Sequence, residues 1–252
     1  MDLALKGKVA VVGGSSEGIG YGIARLLAGE GASVAMVARR MDPLKAAAEK
    51  VAAETGSRTL AIPADIRKAT DCERIVDEAV AAFGRLDVLV NNDGAPPLGL
   101  LMDFDDEAWD QAVQRNLMSV VRLSRGAVPH MKKAGGGCIV NITALSALQP
   151  MPKFGLSVAT WAAVIGYAKT LSLEVAADRI TVNTICPGRI ATGRLATVFG
   201  KEADELVKQI PVGRIGQPED IAGLVGLLAS DKGSYITGAT FHVDGGRRAN
   251  LL

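Results

Sequence analysis

A regular alternation of short apolar runs with segments of amphipathic helical length constrains the fold of this chain most strongly. The runs are rich in Val and Ile, and they lie at residues 8–13, 33–38, 59–62, 86–91, 137–142, 180–185 and 239–243. Apolar strands that alternate with helices are typical of a parallel sheet covered on both faces, with right-handed helical crossovers. The pattern predicts an α/β fold, a doubly wound parallel sheet of about seven strands with helices on both faces.

The chain has no obvious internal boundary. No Pro/Ser-rich linker, charge block or repeat divides it, and the last apolar run is expected to be an edge strand of the same sheet. We therefore expect one domain over residues 1–252. The least regular stretch, about 188–213, combines Gly, Arg, Thr and Pro after the end of a strand, where ligands bind in such sheets. It is the predicted substrate lid.

Charge and cysteine content limit the possible partners. The 28 Lys+Arg and 27 Asp+Glu give a net charge of +1, so no basic face for nucleic acid is expected. Cys72, Cys138 and Cys186 form no CxxC pair, and with His130 and His242 they offer few metal ligands. No apolar run reaches the roughly 18 residues of a membrane span, and the first residues lack a signal peptide's pattern. We expect a cytoplasmic protein with reduced thiols, no metal, no membrane and a small-molecule substrate.

A glycine-rich turn follows the first strand and precedes a helix. It has the sequence GGSSEGIG over residues 13–20. Glycines let the backbone turn sharply and approach a pyrophosphate, whose charge the N-terminus of the next helix stabilises. The turn predicts binding of a phosphate-containing cofactor, and the alternative is a merely tight structural turn. The residues predicted to bind this cofactor are Gly14, Ser16, Gly18, Ile19 and Gly20.

The end of the second strand bears on which nicotinamide cofactor is bound. An NAD site carries an acid there for the ribose 2′-OH, but this chain has Arg39 and Arg40. Guanidinium groups suit a 2′-phosphate, so the sequence favours NADP(H) over NAD(H). Arg39 lies nearer the strand end and is the better candidate. The alternative is that both arginines are solvated loop charges.

Several motifs in this order resemble the short-chain dehydrogenase/reductase family over nearly the whole chain. The glycine motif TGxxxGxG is matched with Gly13 in the Thr position. Residues 91–94 (NNDG) match the NNAG motif, and residues 186–192 match its PG-to-Thr segment. The C-terminal sequence GRIGQPEDIAGLVGLLAS is similar to the bacterial 3-oxoacyl-carrier-protein reductase branch. The resemblance implies a Rossmann-like fold and a nicotinamide cofactor.

The resemblance also implies which further residues bind the cofactor. Asp65 is expected to contact the adenine, and its neighbour Ile66 is expected to bind the cofactor. The residues expected at the adenosine ribose are Asn91 and Gly94, and those expected at the nicotinamide are Pro187, Gly188 and Thr192. Asp93 stands where the family has alanine, so its carboxylate either accepts from a ribose hydroxyl or repels an anionic ligand.

The chain departs from the family at all three acid–base positions. The resemblance expects a Ser at the end of the fifth strand, a Tyr 13 residues later and a Lys four residues after the Tyr. This chain has Ala144, Ser157 and Trp161 at those places. Asn116, which in the family supports the active-site helix and a proton-relay water, is retained. We therefore list Asn116, Ser157 and Thr143 as the candidate catalytic residues.

These replacements argue against ordinary ketone reduction by the family mechanism. Loss of a positioned general acid costs about 10²–10⁴ in rate. Ser157 is a possible hydrogen-bond donor to the substrate oxygen, Thr143 or Ser146 is a possible substitute for the missing serine, and Lys153 is a possible cation. Ser157 and Trp161 are spaced i, i+4 and should both point at the nicotinamide. Trp161 either occupies the cofactor cleft or simply packs.

Three functions remain open at this point. The first is an NADP(H)-dependent oxidoreductase for a carbonyl or alcohol substrate with a non-standard active site. The second is a cofactor-binding regulatory or scaffold protein without turnover, and the third is non-redox chemistry such as isomerisation, dehydration or cyclisation. The resemblance further implies a homotetramer or homodimer, paired through two long helices at about 105–133 and 154–177.

Overall fold

A parallel sheet of seven strands forms the centre of the computed structural model, which describes residues 2–193, 195, 197 and 203–249. The strand order is β3-β2-β1-β4-β5-β6-β7, and every pairing is parallel. The strands are β1 (Val9–Val12), β2 (Ser33–Ala38), β3 (Thr59–Pro63), β4 (Val88–Asn91), β5 (Gly137–Ile142), β6 (Ile180–Pro187) and β7 (Thr240–Val243). The sheet confirms the predicted fold class, and β7 is an edge strand beside β6 as expected.

The helices follow the strands in the predicted alternation. They are α1 (Gly18–Gly29), α2 (Met41–Thr55), α3 (Ala69–Phe83), α4 (Asp106–Val113), α5 (Ser119–Ala134), α6 (Gly155–Val175), α7 (Ala203–Lys208) and α8 (Pro218–Ala229). A five-residue π-helical turn, Gln114–Met118, joins α4 to α5, so the first predicted long helix is this continuous segment. Helix α6 matches the second predicted long helix, at about 154–177.

Two hydrophobic cores cover the two faces of the sheet. Successive side chains of a strand point to opposite faces, so Ala10 and Val12 pack with α1, α2 and α8, whereas Val9 and Val11 pack with α3, α5 and α6. The strands are buried on both faces, which explains why they are continuous apolar runs instead of alternating ones. Cys72, Cys138 and Cys186 are free and buried, as predicted.

The strand order reverses at β1, which lies between β2 and β4. The connections from β1 and from β4 therefore leave the sheet on opposite sides, and a crevice opens at the carboxyl ends of these strands. The glycine turn follows β1, and residues 92–95 follow β4. The topology thus brings together the motifs that the sequence analysis singled out.

The predicted lid at about 188–213 lies partly outside the described residues, because 194, 196 and 198–202 are not among them. In the described part, a β-bridge joins Ile190 to Gly216, and α7 precedes Ile210, which is buried. The segment is therefore anchored at both ends to the body of the protein.

One helix among the described residues, Gly155–Asp178, is long and apolar enough to cross a membrane by length and composition. The sequence analysis expected no such segment. In the fold this helix packs against β6 and against the π-helical turn. Core helices have the same composition, so a single helix of this kind is weak support for a membrane span.

Candidate functional site

A cleft of about 510 Å³ runs along the carboxyl ends of the strands. One end lies between the glycine turn, the end of β2 and residues 64–67 after β3. The other end lies between residues 142–146 after β5, residues 187–193 after β6, and α6. The cleft is long enough to bring the predicted cofactor residues and the predicted catalytic positions into one site.

The glycine turn has the backbone geometry that its residues allow. Gly14 and Gly18 have φ values of +57° and +60°, in the left-handed region that favours glycine. Gly14, Ser16, Gly18 and Ile19 line the cleft, and α1 begins at Gly18 with its N-terminus toward it. The turn therefore presents backbone N–H groups and a helix N-terminus, the arrangement that binds a pyrophosphate.

Gly20 does not line the cleft. It is buried beneath the turn, where a Cβ atom would lie 2.4 Å from the carbonyl oxygen of Gly14 and 2.6 Å from that of Gly13. The absence of a side chain lets α1 pack directly under the turn that precedes it. Gly20 therefore supports the turn from below, and unlike Gly14 and Gly18 it does not line the cleft where the cofactor was predicted to bind.

Ser15 is a residue of the turn that the sequence analysis did not single out. Its side chain is fully buried; the Oγ atom donates to the carbonyl of Val12 at 2.9 Å and accepts from the N–H of Val37 at 2.8 Å. The Ser15 N–H donates to the Val37 carbonyl at 3.0 Å. Ser15 therefore ties the glycine turn to the end of β2, two residues before Arg39.

Arg39 and Arg40 both line the cleft, and both are exposed. The charge of Arg39 contributes to lowering the pKa of Asp65. The two guanidinium groups are thus at the same end of the cleft as the residues that follow β3. This placement suits the 2′-phosphate of an adenosine ribose.

Asp65 and Ile66 line this end of the cleft, as the resemblance implied. Asp65 forms a bidentate ion pair with Arg67, whose Nη2 and Nε atoms lie 2.6 and 2.9 Å from its carboxylate oxygens. This hydrogen-bonded pair lowers the pKa of Asp65 below its ordinary value. Arg67 also lines the cleft and was missed in the sequence, where nothing sets it apart from a surface arginine.

Asn91 and Gly94, both predicted at the adenosine ribose, are placed differently. The Asn91 side chain is buried, and its Nδ2 atom donates to Oδ1 of Asn141 on the neighbouring strand at 2.8 Å. Asn91 does not line the cleft, because as the last residue of β4 it turns toward β5. Gly94 does line the cleft. So does Asn92, whose Nδ2 atom donates to the Gly13 carbonyl at 3.0 Å.

Asp93 places a carboxylate in the wall of the cleft. The Asp93 side chain is 29% exposed, and its nearest cation is Arg115, whose Nε atom lies 4.0 Å away. Removal of the carboxylate from water raises the pKa of Asp93 to about 6, and the N–H of Gly94 and the charge of Arg115 only partly offset this effect. The group therefore titrates close to neutral pH.

Pro187, Gly188 and Thr192 line the part of the cleft that follows β6. A Cβ atom on Gly188 would lie 2.6 Å from the Cα atom of Asp244, so glycine allows β6 and the segment after β7 to approach. Thr192 packs near Gly18 at the start of α1. These contacts join the predicted nicotinamide end to the glycine turn.

Trp161 lines the cleft and is half-buried, but Ser157 does not line it. Ser157 is 1% exposed, and its Oγ atom has no hydrogen-bond partner among the described residues. Both lie on α6, whose first turns pack against the 3₁₀ turn Leu145–Ala147. The structure thus separates two residues that their i, i+4 spacing was expected to bring to the cleft together, because packing covers the first turn of α6.

Thr143, Ala144 and Ser146 all line the cleft after β5. Thr143 donates its hydroxyl to the carbonyl of Ile185 at 3.2 Å and bonds the local backbone. Ala144 offers no polar group. The Ser146 hydroxyl is buried in the wall and has no partner among the described residues. Lys153, the candidate cation, is exposed and has a φ of +69°.

Asn116 lies in the π-helical turn and is buried. Its Nδ2 atom donates to Oγ1 of Thr160 at 2.8 Å, which ties the turn to α6. Asn116 does not line the main cleft; it lines a small void behind Trp161. π-Helical turns often occur at functional sites. Here the turn helps to position α6, because its contact residue on that helix, Thr160, directly precedes Trp161.

A glycine turn at the switch point of a doubly wound parallel sheet defines the Rossmann-like class of dinucleotide-binding α/β proteins. The family model described as enoyl-(acyl carrier protein) reductase matches residues 14–248. Among curated proteins, 3-oxoacyl-[acyl-carrier-protein] reductase FabG of Staphylococcus epidermidis is 39% identical over 240 residues, which cover 95% of this chain and 98% of the relative. The chain belongs to the short-chain dehydrogenase/reductase family.

Other similar proteins extend this assignment. Dehydrogenase/reductase SDR family member 4 of Homo sapiens is 37% identical over 250 residues, covering 98% of this chain and 90% of the relative. L-sorbose reductase from Gluconobacter frateurii, solved in complex with NADPH and L-sorbose, superposes with a TM-score of 0.94 at 35% identity and full coverage of both chains.

Proposed function

We propose that this chain is an NADP(H)-dependent oxidoreductase for a carbonyl or alcohol substrate, with proton chemistry unlike that of its family. The observation that carries the proposal is one continuous cleft with the glycine turn and Arg39 at one end and the Pro187–Gly188 segment at the other. Two similar solved structures support the cofactor, since L-sorbose reductase and a metagenomic blue fluorescent protein were both solved with NADPH.

The residues of the cleft fit this cofactor. The turn around Gly14 and Gly18 leaves room for a pyrophosphate, and Arg39 and Arg40 offer cations to a 2′-phosphate. When bound, the cofactor supplies the hydride. Pro187 and Gly188 bound the end of the cleft where the nicotinamide would lie, facing Trp161 and the residues after β5.

The polar group best placed to support a reacting oxygen is Ser146. Ala144 has no donor, the Thr143 hydroxyl is committed to a backbone carbonyl, and Ser157 does not line the cleft. Ser146 lines the cleft, and its hydroxyl has no partner among the described residues. A hydrogen bond from this hydroxyl to the substrate oxygen would stabilise the developing alkoxide. Water then supplies the proton, because no tyrosine–lysine pair is present at residues 157 and 161.

A titration of the purified protein with NADPH and with NADH tests the cofactor assignment. We expect tighter binding of NADPH, followed by nucleotide fluorescence and Trp quenching. Arg39→Gln should weaken NADPH binding roughly 10- to 100-fold and leave NADH binding unchanged, because a charged hydrogen bond is worth about 1.5–3 kcal/mol. Arg25→Gln, a surface arginine paired with Glu54, is the matched control and should change neither. No binding of either nucleotide would contradict the proposal.

A restoring variant tests the assignment of the three acid–base positions. Ala144→Ser, Ser157→Tyr and Trp161→Lys together should raise NADPH-dependent reduction of an activated ketone at least 100-fold, since a positioned general acid contributes about 10²–10⁴. NADPH binding by the same variant checks that it folds. No gain in a folded, NADPH-binding variant would contradict the assignment.

A second function, cofactor binding without turnover, is favoured by one observation. Both Ala144 and the covered hydroxyl of Ser157 remove polar chemistry from the positions where the family has its acid–base groups. A protein that binds NADPH tightly but oxidises none of it with any carbonyl substrate would be a regulatory or scaffold protein. Turnover of a carbonyl compound without net oxidation of NADPH would instead indicate isomerisation, dehydration or cyclisation.

We also propose a homotetramer or homodimer that pairs through α6. The outward face of this helix is exposed and consists mainly of small or apolar residues: Ala159, Ala162, Ala163, Gly166 and Leu173. Small side chains allow two such helices to approach closely. An apolar face of this length on an isolated chain would be costly to leave in water.

A further inference from the structure

Two arginines line the cleft beside the carboxyl ends of β6 and β7. Arg189 follows Gly188 directly after β6, and Arg247 lies in the segment after β7. Burial, together with the charge of Arg247, lowers the pKa of Arg189 to about 10.

The guanidinium of Arg247 is only weakly engaged within the chain. Its Nη2 atom lies 3.7 Å from the sulfur of Met151, and its Nε atom is buried with no hydrogen-bond partner among the described residues. The nearest acid in the sequence, Asp244, accepts from the backbone N–H groups of Gly246 and Arg248, and does not line the cleft. Arg247 therefore lines the cleft with a side-chain donor, Nε, that has no partner among the described residues.

The acids that line the cleft among the described residues follow other strands. Glu17 precedes α1 at the glycine turn, Asp65 is held by Arg67 after β3, and Asp93 lies beside Arg115 after β4. Met151 contacts Arg247, and the described lining of the cleft also includes the apolar residues Leu145 and Phe154. This part of the cleft thus combines apolar walls with two cations.

We propose that Arg189 and Arg247 bind a carboxylate of the substrate, so that the substrate is an oxo acid or hydroxy acid with an apolar body. Guanidinium groups match a carboxylate through paired, charge-assisted hydrogen bonds, and the apolar walls accept the remainder of the molecule. This inference rests on the proposed function, because it needs the substrate to lie in the same cleft as the cofactor.

Calorimetric titration with a charged and a neutral probe of nearly equal shape tests the proposal. The probes are 2-oxo-4-phenylbutanoate and its methyl ester, added to the protein saturated with NADP⁺, which cannot reduce them, and to the protein without nucleotide. We expect the acid to bind at least tenfold more tightly than the ester. Arg247→Met and Arg189→Met should each weaken acid binding roughly 10- to 100-fold and leave ester binding unchanged.

Control measurements separate this proposal from the cofactor assignment. Arg25→Met, the surface control, should bind the acid like the unaltered protein, and retained NADPH binding shows that the cleft variants fold. Equal affinities for acid and ester in the unaltered protein would overturn the proposal without any variant. So would a fall in NADPH affinity that matches the fall in acid binding, since the pair would then serve the pyrophosphate. If the protein binds no nucleotide, the acid and ester still test the arginine pair in the nucleotide-free protein.

Discussion

Ser15→Ala tests whether a buried hydroxyl holds the glycine turn against the end of β2. The Ser15 side chain is fully buried, accepts from the Val37 N–H at 2.8 Å and donates to the Val12 carbonyl at 2.9 Å. Alanine fits the same space but leaves the Val37 N–H without its side-chain partner in a region with no access to water. The change therefore removes hydrogen bonds while it keeps the packing.

The expected cost follows from these two bonds. A buried donor left unsatisfied costs about 1–3 kcal/mol, and the lost bond to the Val12 carbonyl adds about 0.5–1.5 kcal/mol. We therefore expect Ser15→Ala to lower the free energy of unfolding by roughly 2–4 kcal/mol. NADPH affinity should fall as well, because the turn and Arg39 lose the link that fixes their relative positions.

Urea denaturation followed by Trp fluorescence, together with an NADPH titration, measures both effects. Ser234→Ala is the matched control, since the Ser234 hydroxyl donates to the backbone of Asp231 at an exposed position. We expect this control to change stability by less than about 0.5 kcal/mol. A loss for Ser15→Ala no larger than the control's would refute the role assigned to the hydroxyl.

Three further predictions concern the cleft, its glycine turn and the outer face of α6. The fold raises the pKa of Asp93 to about 6 and so favours its neutral form, which means that stability is lost as pH rises from about 4 through 6. Asp93→Asn should therefore raise the free energy of unfolding by about 1–3 kcal/mol at pH 7.5, after allowance for screening by water, and change it little at pH 4. An equal gain at both pH values in urea denaturation would contradict this prediction. Gly20→Ala places a Cβ atom 2.4 Å from the Gly14 carbonyl oxygen. It should lower the free energy of unfolding by about 1–3 kcal/mol and abolish tight NADPH binding. Gly223→Ala in α8 is the control, because no atom lies within 4 Å of the new Cβ, and it should raise the free energy of unfolding by about 0.5–1 kcal/mol. A similar loss of stability for both variants in thermal denaturation would argue against the steric account. Size-exclusion chromatography with light scattering should give about four chain masses, or two for a dimer, and Ala163→Glu on the exposed face of α6 should lower that mass. A monomeric unaltered protein would exclude the proposed assembly.

The fold could be predicted from the sequence because it depends on patterns that are local. Each strand is a short apolar run, each helix has its own period, and the turn between β1 and α1 contains the glycines that its backbone needs. The same holds for one end of the site, where Gly14, Gly18 and Arg39 lie within or just after these elements. The sequence analysis expected no membrane span, yet the helix Gly155–Asp178 is long and apolar enough to be one, because composition alone does not distinguish a core helix from a spanning one.

Other parts of the site could not be predicted, because they depend on which side chains packing leaves open. Ser157 and Trp161 are spaced i, i+4 on α6, yet only Trp161 lines the cleft. Asn91 ends its strand near the cofactor side, but a pairing with Asn141 on the next strand turns it inward. No rule of spacing within one element reports what a neighbouring element covers.

The sequence by itself determined the parallel α/β fold, the glycine turn and the arginines at the end of β2, and it predicts that Ala144, Ser157 and Trp161 stand at the three acid–base positions. These are properties of residue type and short-range order, and they do not require knowledge of distant contacts. Only the tertiary structure decided that Ser15 hydrogen-bonds to β2, that Arg67 forms an ion pair with Asp65, and that Arg189 and Arg247 both line the cleft. Arg189 and Arg247 are separated by 58 positions in the chain, and β6 and β7 bring them together because these strands are neighbours in the sheet.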